Sequence, residues 1–128
     1  ARAAALGIAA ALAITPPTAA IAEAYAASDL VLQLSRKPES FGRTVIEALS
    51  VGRPVLGWAH GGVGELLREL QPDGAIAPFD ADALHRGAQR LLARDRALAA
   101  TMPAVIARYS LSAMQHATLA VYDQLVAR

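Results

Sequence analysis

Three short apolar runs, Leu30–Leu32, Pro54–Trp58 and Ala75–Ala77, each separated from the next by a stretch with helical spacing, constrain this chain more than anything else in it. Thr18 is placed to cap a helix through Ser28 that carries Ile21 and Tyr25 on one face, and Asp29 ends it before the first run. Val45, Ile46 and Leu49 recur at helical spacing within Phe41–Val51, and Gly52 supplies a left-handed stop before the second run. After Gly61, Gly62 and Gly64, which read as a flexible turn rich in amides, Glu65–Leu70 is helical in pattern. Pro72-Asp73-Gly74 then turns into the third run. Near-continuous apolar strands alternating with helices imply an α/β fold, with a parallel sheet covered by helices on both faces.

The ends of the chain read differently. Ala1–Leu6 looks like a helix end closed by Gly7, and Ile8–Ile14 like a short buried strand stopped by Pro16-Pro17. A secretory signal would also account for Arg2 and the apolar run after it, but the helix-and-strand reading explains more of the residues. The run is too short to span a bilayer, which takes about 20 residues. Beyond the third strand, Asp80 and Asp82 open a helix to Ala93. A second helix covers Asp95–Arg108 with a bend at Pro103, and a third, capped by Ser110 or Ser112, ends near Ala127. Met114, Leu119, Tyr122 and Val126 are expected to form a buried stripe on that last helix.

Composition removes several classes of function. The 128 residues carry a net charge of +1 with acids and bases interspersed, so the basic footprint of a nucleic-acid binder is missing. With no cysteine there is no disulfide scaffold, thiol nucleophile or thiolate metal site, and the chain suits a reducing, cytoplasmic compartment. His85 and His116 lack metal-ligand spacing and read as surface residues, and His60 as a solvent-facing loop residue.

An open α/β sheet binds its ligand at the carboxyl ends of the strands, which directs attention to the loops after the first two runs. Glu39 lies just before the helix that starts near Phe41, and Glu47 lies about five residues inside it. At about 1.5 Å per residue their axial separation is about 7–10 Å. Between them lie free first-turn amides and the positive end of the helix dipole, and Gly42 lets a ligand approach the backbone. An anion flanked by two hydroxyl-binding carboxylates matches a nucleoside diphosphate-sugar. The same glutamates also have a purely structural reading, in which Glu47 pairs with Arg43 at i, i+4 and both acids favour the dipole. His60-Gly61-Gly62-Val63-Gly64-Glu65 adds a second amide-rich turn at a helix start, although it matches neither glycine-rich phosphate fingerprint.

Taken together, Asp29–Ser35, Pro38-Glu39-Ser40-Phe41-Gly42 through Glu47, Gly52-Arg53-Pro54-Val55 and Gly61-Gly62-Val63-Gly64-Glu65 resemble the family-four glycosyltransferases of the GT-B fold, over nearly the whole chain. The resemblance implies a Rossmann-like sheet, the C-terminal half of that fold, ending in a run of helices whose last member crosses back to the first domain, so that part of its apolar face is left exposed here or packs on another copy. It implies one donor-binding domain over residues 1–128, shortened on its N-terminal side, without the acceptor domain and inactive by itself. By residue, it implies that Glu39 is the catalytic-site carboxylate and binds donor-sugar hydroxyls. Ser40 shares that loop, the backbone of Phe41, Gly42 and Arg43 meets sugar and diphosphate, Thr44 and Val45 lie beside the phosphates, Glu47 binds the ribose, and Gly61 and Gly62 shape the pocket wall.

The reaction implied is sugar transfer with retention, without a metal or other cofactor, in bacterial polysaccharide or lipopolysaccharide synthesis, with the full enzyme peripheral to the inner face of the membrane. The family's basic pair for the phosphates has no match in this sequence; Arg36, Lys37 and Arg43 are the nearby candidates. Rival readings are a sugar-nucleotide epimerase of similar fold, a non-catalytic α/β binding module, and a glycoside hydrolase. The last needs its two carboxylates on opposite faces of the scissile bond, which one loop–helix segment rarely provides.

Overall fold

The structure is a computed structural model that describes residues 2–94 and 107–127. Three parallel strands, β1 (Val31–Gln33), β2 (Val55–Trp58) and β3 (Ala75–Ile76), form a sheet in the order β1-β2-β3. Val31 pairs with Val55 and Gln33 with Gly57, while Gly57 and Trp58 pair with Ala75 and Ile76. The helices are α1 (Arg2–Ala5), α2 (Ile21–Ala27), α3 (Arg43–Ser50), α4 (Gly61–Leu70), α5 (Ala81–Leu92) and α6 (Leu111–Val126).

Alternation along the strands sorts the core into two layers, because successive side chains point to opposite faces. On one face Val31 and Val55 pack against Val45, Ala48 and Leu49 of α3 and against Val63, Leu66, Leu67 and Leu70 of α4. On the other, Leu56, Trp58 and Ile76 meet Leu91 of α5, with Ala83, Leu84 and Ala88 beside it. The helix α5 starts where expected: the Asp80 carboxylate accepts from the Ala83 amide at 2.8 Å. It covers β2 and β3 but leaves a groove of about 570 Å³ lined in part by Leu30, Leu32, Leu56, Leu84, Ala88 and Leu92.

Central strand β2 runs two residues further back than β3, so on that side Val55 has no strand partner. Gln71 supplies one. Its side-chain carbonyl accepts from the Val55 amide and its NH2 donates to the Val55 carbonyl, both at 2.9 Å, in a buried position. A side-chain amide thereby completes the ladder in place of a peptide. The close approach requires Gly74, whose Cβ, if present, would collide with the Val55 carbonyl oxygen.

Four expectations are corrected. Thr18 does not cap α2: its hydroxyl accepts from the Ala20 amide at 3.0 Å, and the helix begins at Ile21 with no side-chain cap. Ile8–Ile14 is not a buried strand: Ala9–Ala11 is a single 3-10 turn, and residues 8–14 are all exposed. The run is largely alanine, which brings little apolar area or strand preference. The glycines 61, 62 and 64 are not a flexible turn ahead of a helix; they form the first turn of α4 itself. On α6, Ser110 caps the helix as expected, accepting from the Ala113 amide at 3.1 Å, but Met114, Leu119, Tyr122 and Val126 are exposed. Of the expected helix over Asp95–Arg108, residues 95–106 lie outside the described residues, and Ala107–Tyr109 is a 3-10 turn. No helix among the described residues is long and apolar enough to cross a membrane.

Candidate functional site

The two loops singled out in the sequence meet at the carboxyl end of the sheet. The Gly62 amide donates to the Glu39 carbonyl at 2.8 Å, joining the β1–α3 loop to the start of α4. The junction is close enough that a Cβ on Gly62 would lie 2.5 Å from the Phe41 carbonyl oxygen, and one on Gly61 2.6 Å from that of Glu39. Both glycines are thus required by the approach of one backbone to another.

The helix α3 begins at Gly42, whose φ of 88° is left-handed and whose Cβ would press on Val63 at 3.0 Å. No side chain caps this N-terminus, and its first turn holds no acid. Its amides and dipole therefore present a positive end toward the loop that carries Glu39. Thr44 is half-buried, Val45 is fully buried, and Ser40 and Phe41 are exposed at the rim. The Phe41 ring stands edge-on to Tyr109, with centroids 6.4 Å apart.

Both carboxylates are held by side chains. Gln33, the last residue of β1, donates from its NH2 to the Glu39 carboxylate at 2.8 Å. Glu47 accepts from the Tyr25 hydroxyl at 3.3 Å and from the Arg43 guanidinium at 2.9 Å. Burial pushes the Tyr25 phenol above its usual range; a hydrogen bond with Thr44 opposes the shift and the Glu47 carboxylate adds to it. The phenol therefore remains a donor to Glu47 at neutral pH. Arg43 is largely exposed and engaged with Glu47, as the structural reading of that pair expects.

Gln33 and Tyr25 are the positioning groups that sequence reasoning missed. A signal existed for the first, a polar residue inside the apolar run Leu30–Leu34. The second was visible only as one apolar face residue of α2.

His60 differs from expectation. It is half-buried, with Nε2 donating to the Ser35 carbonyl at 3.1 Å, and its ring packs against Phe79. His85 and His116 are exposed, as expected. Among the described residues no group of three or more acidic, histidine or cysteine side chains could hold a metal ion. Arg36 and Lys37 are exposed on the β1–α3 loop.

A parallel sheet with helices around it, whose loops meet near the N-terminus of α3, defines a Rossmann-like α/β unit. The chain belongs to the glycosyltransferases: the family described as Glycosyl transferases group 1 matches residues 1–109. No curated protein and no solved structure matches the chain.

Proposed function

We propose that this chain forms the donor-binding site of a retaining GT-B glycosyltransferase of family four, taking a sugar from a nucleoside diphosphate-sugar. The observation that carries the reading is the uncapped N-terminus of α3 between Glu39, held by Gln33, and Glu47, held by Tyr25. In this reading Glu39 accepts from hydroxyls of the donor sugar and Glu47 from those of the ribose. The diphosphate lies on the first-turn amides of Arg43 and Thr44, the Val45 amide being bonded to the Gly42 carbonyl.

As the glycosidic bond breaks, negative charge grows on the departing diphosphate. The α3 dipole and amides are already oriented toward that charge, so they stabilise it without reorganising. The reaction as proposed uses no metal. Arg43 is available to the phosphates when it exchanges Glu47 for them, and Arg36 and Lys37 lie on the same loop. Membership of the group 1 glycosyltransferases supports transfer, and the two held carboxylates about an uncapped helix N-terminus support the class of donor.

Titration with UDP, GDP and ADP tests the reading. At least one should shift the amide resonances of residues 42–45. Glu47→Ala should weaken nucleoside diphosphate binding about tenfold, the scale of a lost charge-assisted hydrogen bond. Glu39→Ala should weaken only the sugar-bearing nucleotide. Equal losses in both variants for both ligands would remove the role assignment, and no shift near α3 with any nucleotide would favour a non-catalytic module.

A further inference from the structure

Phe79 is the one residue other than glycine with left-handed backbone among the described residues, at φ 67°. For a bulky side chain this conformation costs about 1–2 kcal/mol. Folding gains little in return, because the side chain stays 59 % exposed. A glycine would satisfy the backbone at lower cost, so backbone geometry does not account for an aromatic residue here.

Its position is more informative. Phe79 follows β3, and its ring lies 5.9 Å from that of Trp58 and 6.1 Å, edge-on, from that of His60. His60 is tied to the Ser35 carbonyl in the loop that carries Glu39. Contacts therefore lead from Phe79 through His60 to the loop that carries Glu39.

We propose that Phe79, backed by His60 and Trp58, is a stacking platform for the apolar face of a pyranose ring. The inference rests on the donor-site reading above, which puts the sugar at Glu39 and the nucleoside at Glu47. One face of a pyranose presents mainly C–H groups, and the negative face of an aromatic ring attracts these polarised hydrogens while removing apolar area from water. The ring belongs to the donor sugar or to a glycosyl acceptor, which present the same chemistry. In the donor-site reading the nucleoside lies at Glu47, whereas the contacts of Phe79 lead to the loop of Glu39, so the platform is assigned to a sugar and not to a nucleobase.

Trp58 is the only tryptophan, so its fluorescence reports on this platform. The full chain is titrated with UDP, GDP and ADP, with UDP-glucose, UDP-N-acetylglucosamine, GDP-mannose and ADP-glucose, and with methyl glucoside and methyl mannoside. Affinities are checked by calorimetry for wild type, Phe79→Gly and Phe79→Tyr. Phe79→Gly, with folding confirmed by its unfolding midpoint, should weaken a sugar-bearing ligand about five- to tenfold and leave the parent nucleoside diphosphate unchanged. Phe79→Tyr should bind like wild type. Loss confined to nucleotide sugars assigns the ring to the donor, and loss confined to methyl glycosides to the acceptor. If nucleoside diphosphates and their sugars bind wild type and Phe79→Gly equally well, or if both weaken in parallel, the platform is wrong and the donor reading stands. If neither nucleotides nor glycosides bind wild type, both fall.

Discussion

At the scale of single residues, Gln71 has the largest structural consequence for its size. Its amide satisfies both backbone groups of Val55 in a site closed to water, so an apolar replacement leaves a buried donor and a buried acceptor unpaired. Each orphan costs about 1–3 kcal/mol. Gln71→Met, which keeps the volume, is expected to lower the unfolding free energy by about 2–4 kcal/mol in urea denaturation. A loss below about 1 kcal/mol would mean that Val55 finds other partners. The sequence hides this role, since a glutamine after a helix reads as a surface residue until the strand offset is known. The placement of Glu39 before a helix start and of Glu47 within that helix was legible, because Gly42 and the periodicity of residues 45–49 mark the element. Gln33 and Tyr25 were less so, because they act through contacts 6 and 22 positions away along the chain.

At the scale of elements, the strands and the helices α3 to α5 follow from periodicity and caps. Gly52 closes α3 with φ 73°, and Asp80 opens α5. What periodicity misjudges is whether an apolar run has anything to lie against. The alanines of residues 9–13 expose the same pattern that a strand would bury, and α6 has apolar residues with no layer above them. The glycines of α4 were misread for a related reason: their composition suggests flexibility, but their use is steric. Gly62 lies under the Phe41 backbone and Gly64 under that of Ala59, where a Cβ would come within 2.5 Å. Gly62→Ala should therefore displace the β1–α3 loop, costing about 1–3 kcal/mol and moving the amide resonances of residues 42–45 in the free protein. Unmoved resonances would show that α4, and not the loop, gives way.

Over the whole molecule, burial is concentrated where the sheet meets α3 and α4, while residues 4–20 and nearly all of α6 are exposed. Local opening should follow that division, because it is limited by the apolar contacts that must be broken. Hydrogen exchange is expected to be slowest for amides of β2 and the second half of α4, and near unprotected rates for residues 12–20. Strong protection in residues 12–20 would point to association or to burial in solution that the structure lacks. The hydrogen bond from Gly62 to the Glu39 carbonyl also bears on folding order. It spans a single β-α-β crossover, and the residues it joins are brought together by the pairing of β1 with β2. The candidate site is therefore expected to assemble together with the first parallel strand pair, and a mutation that slows that pairing should delay both equally.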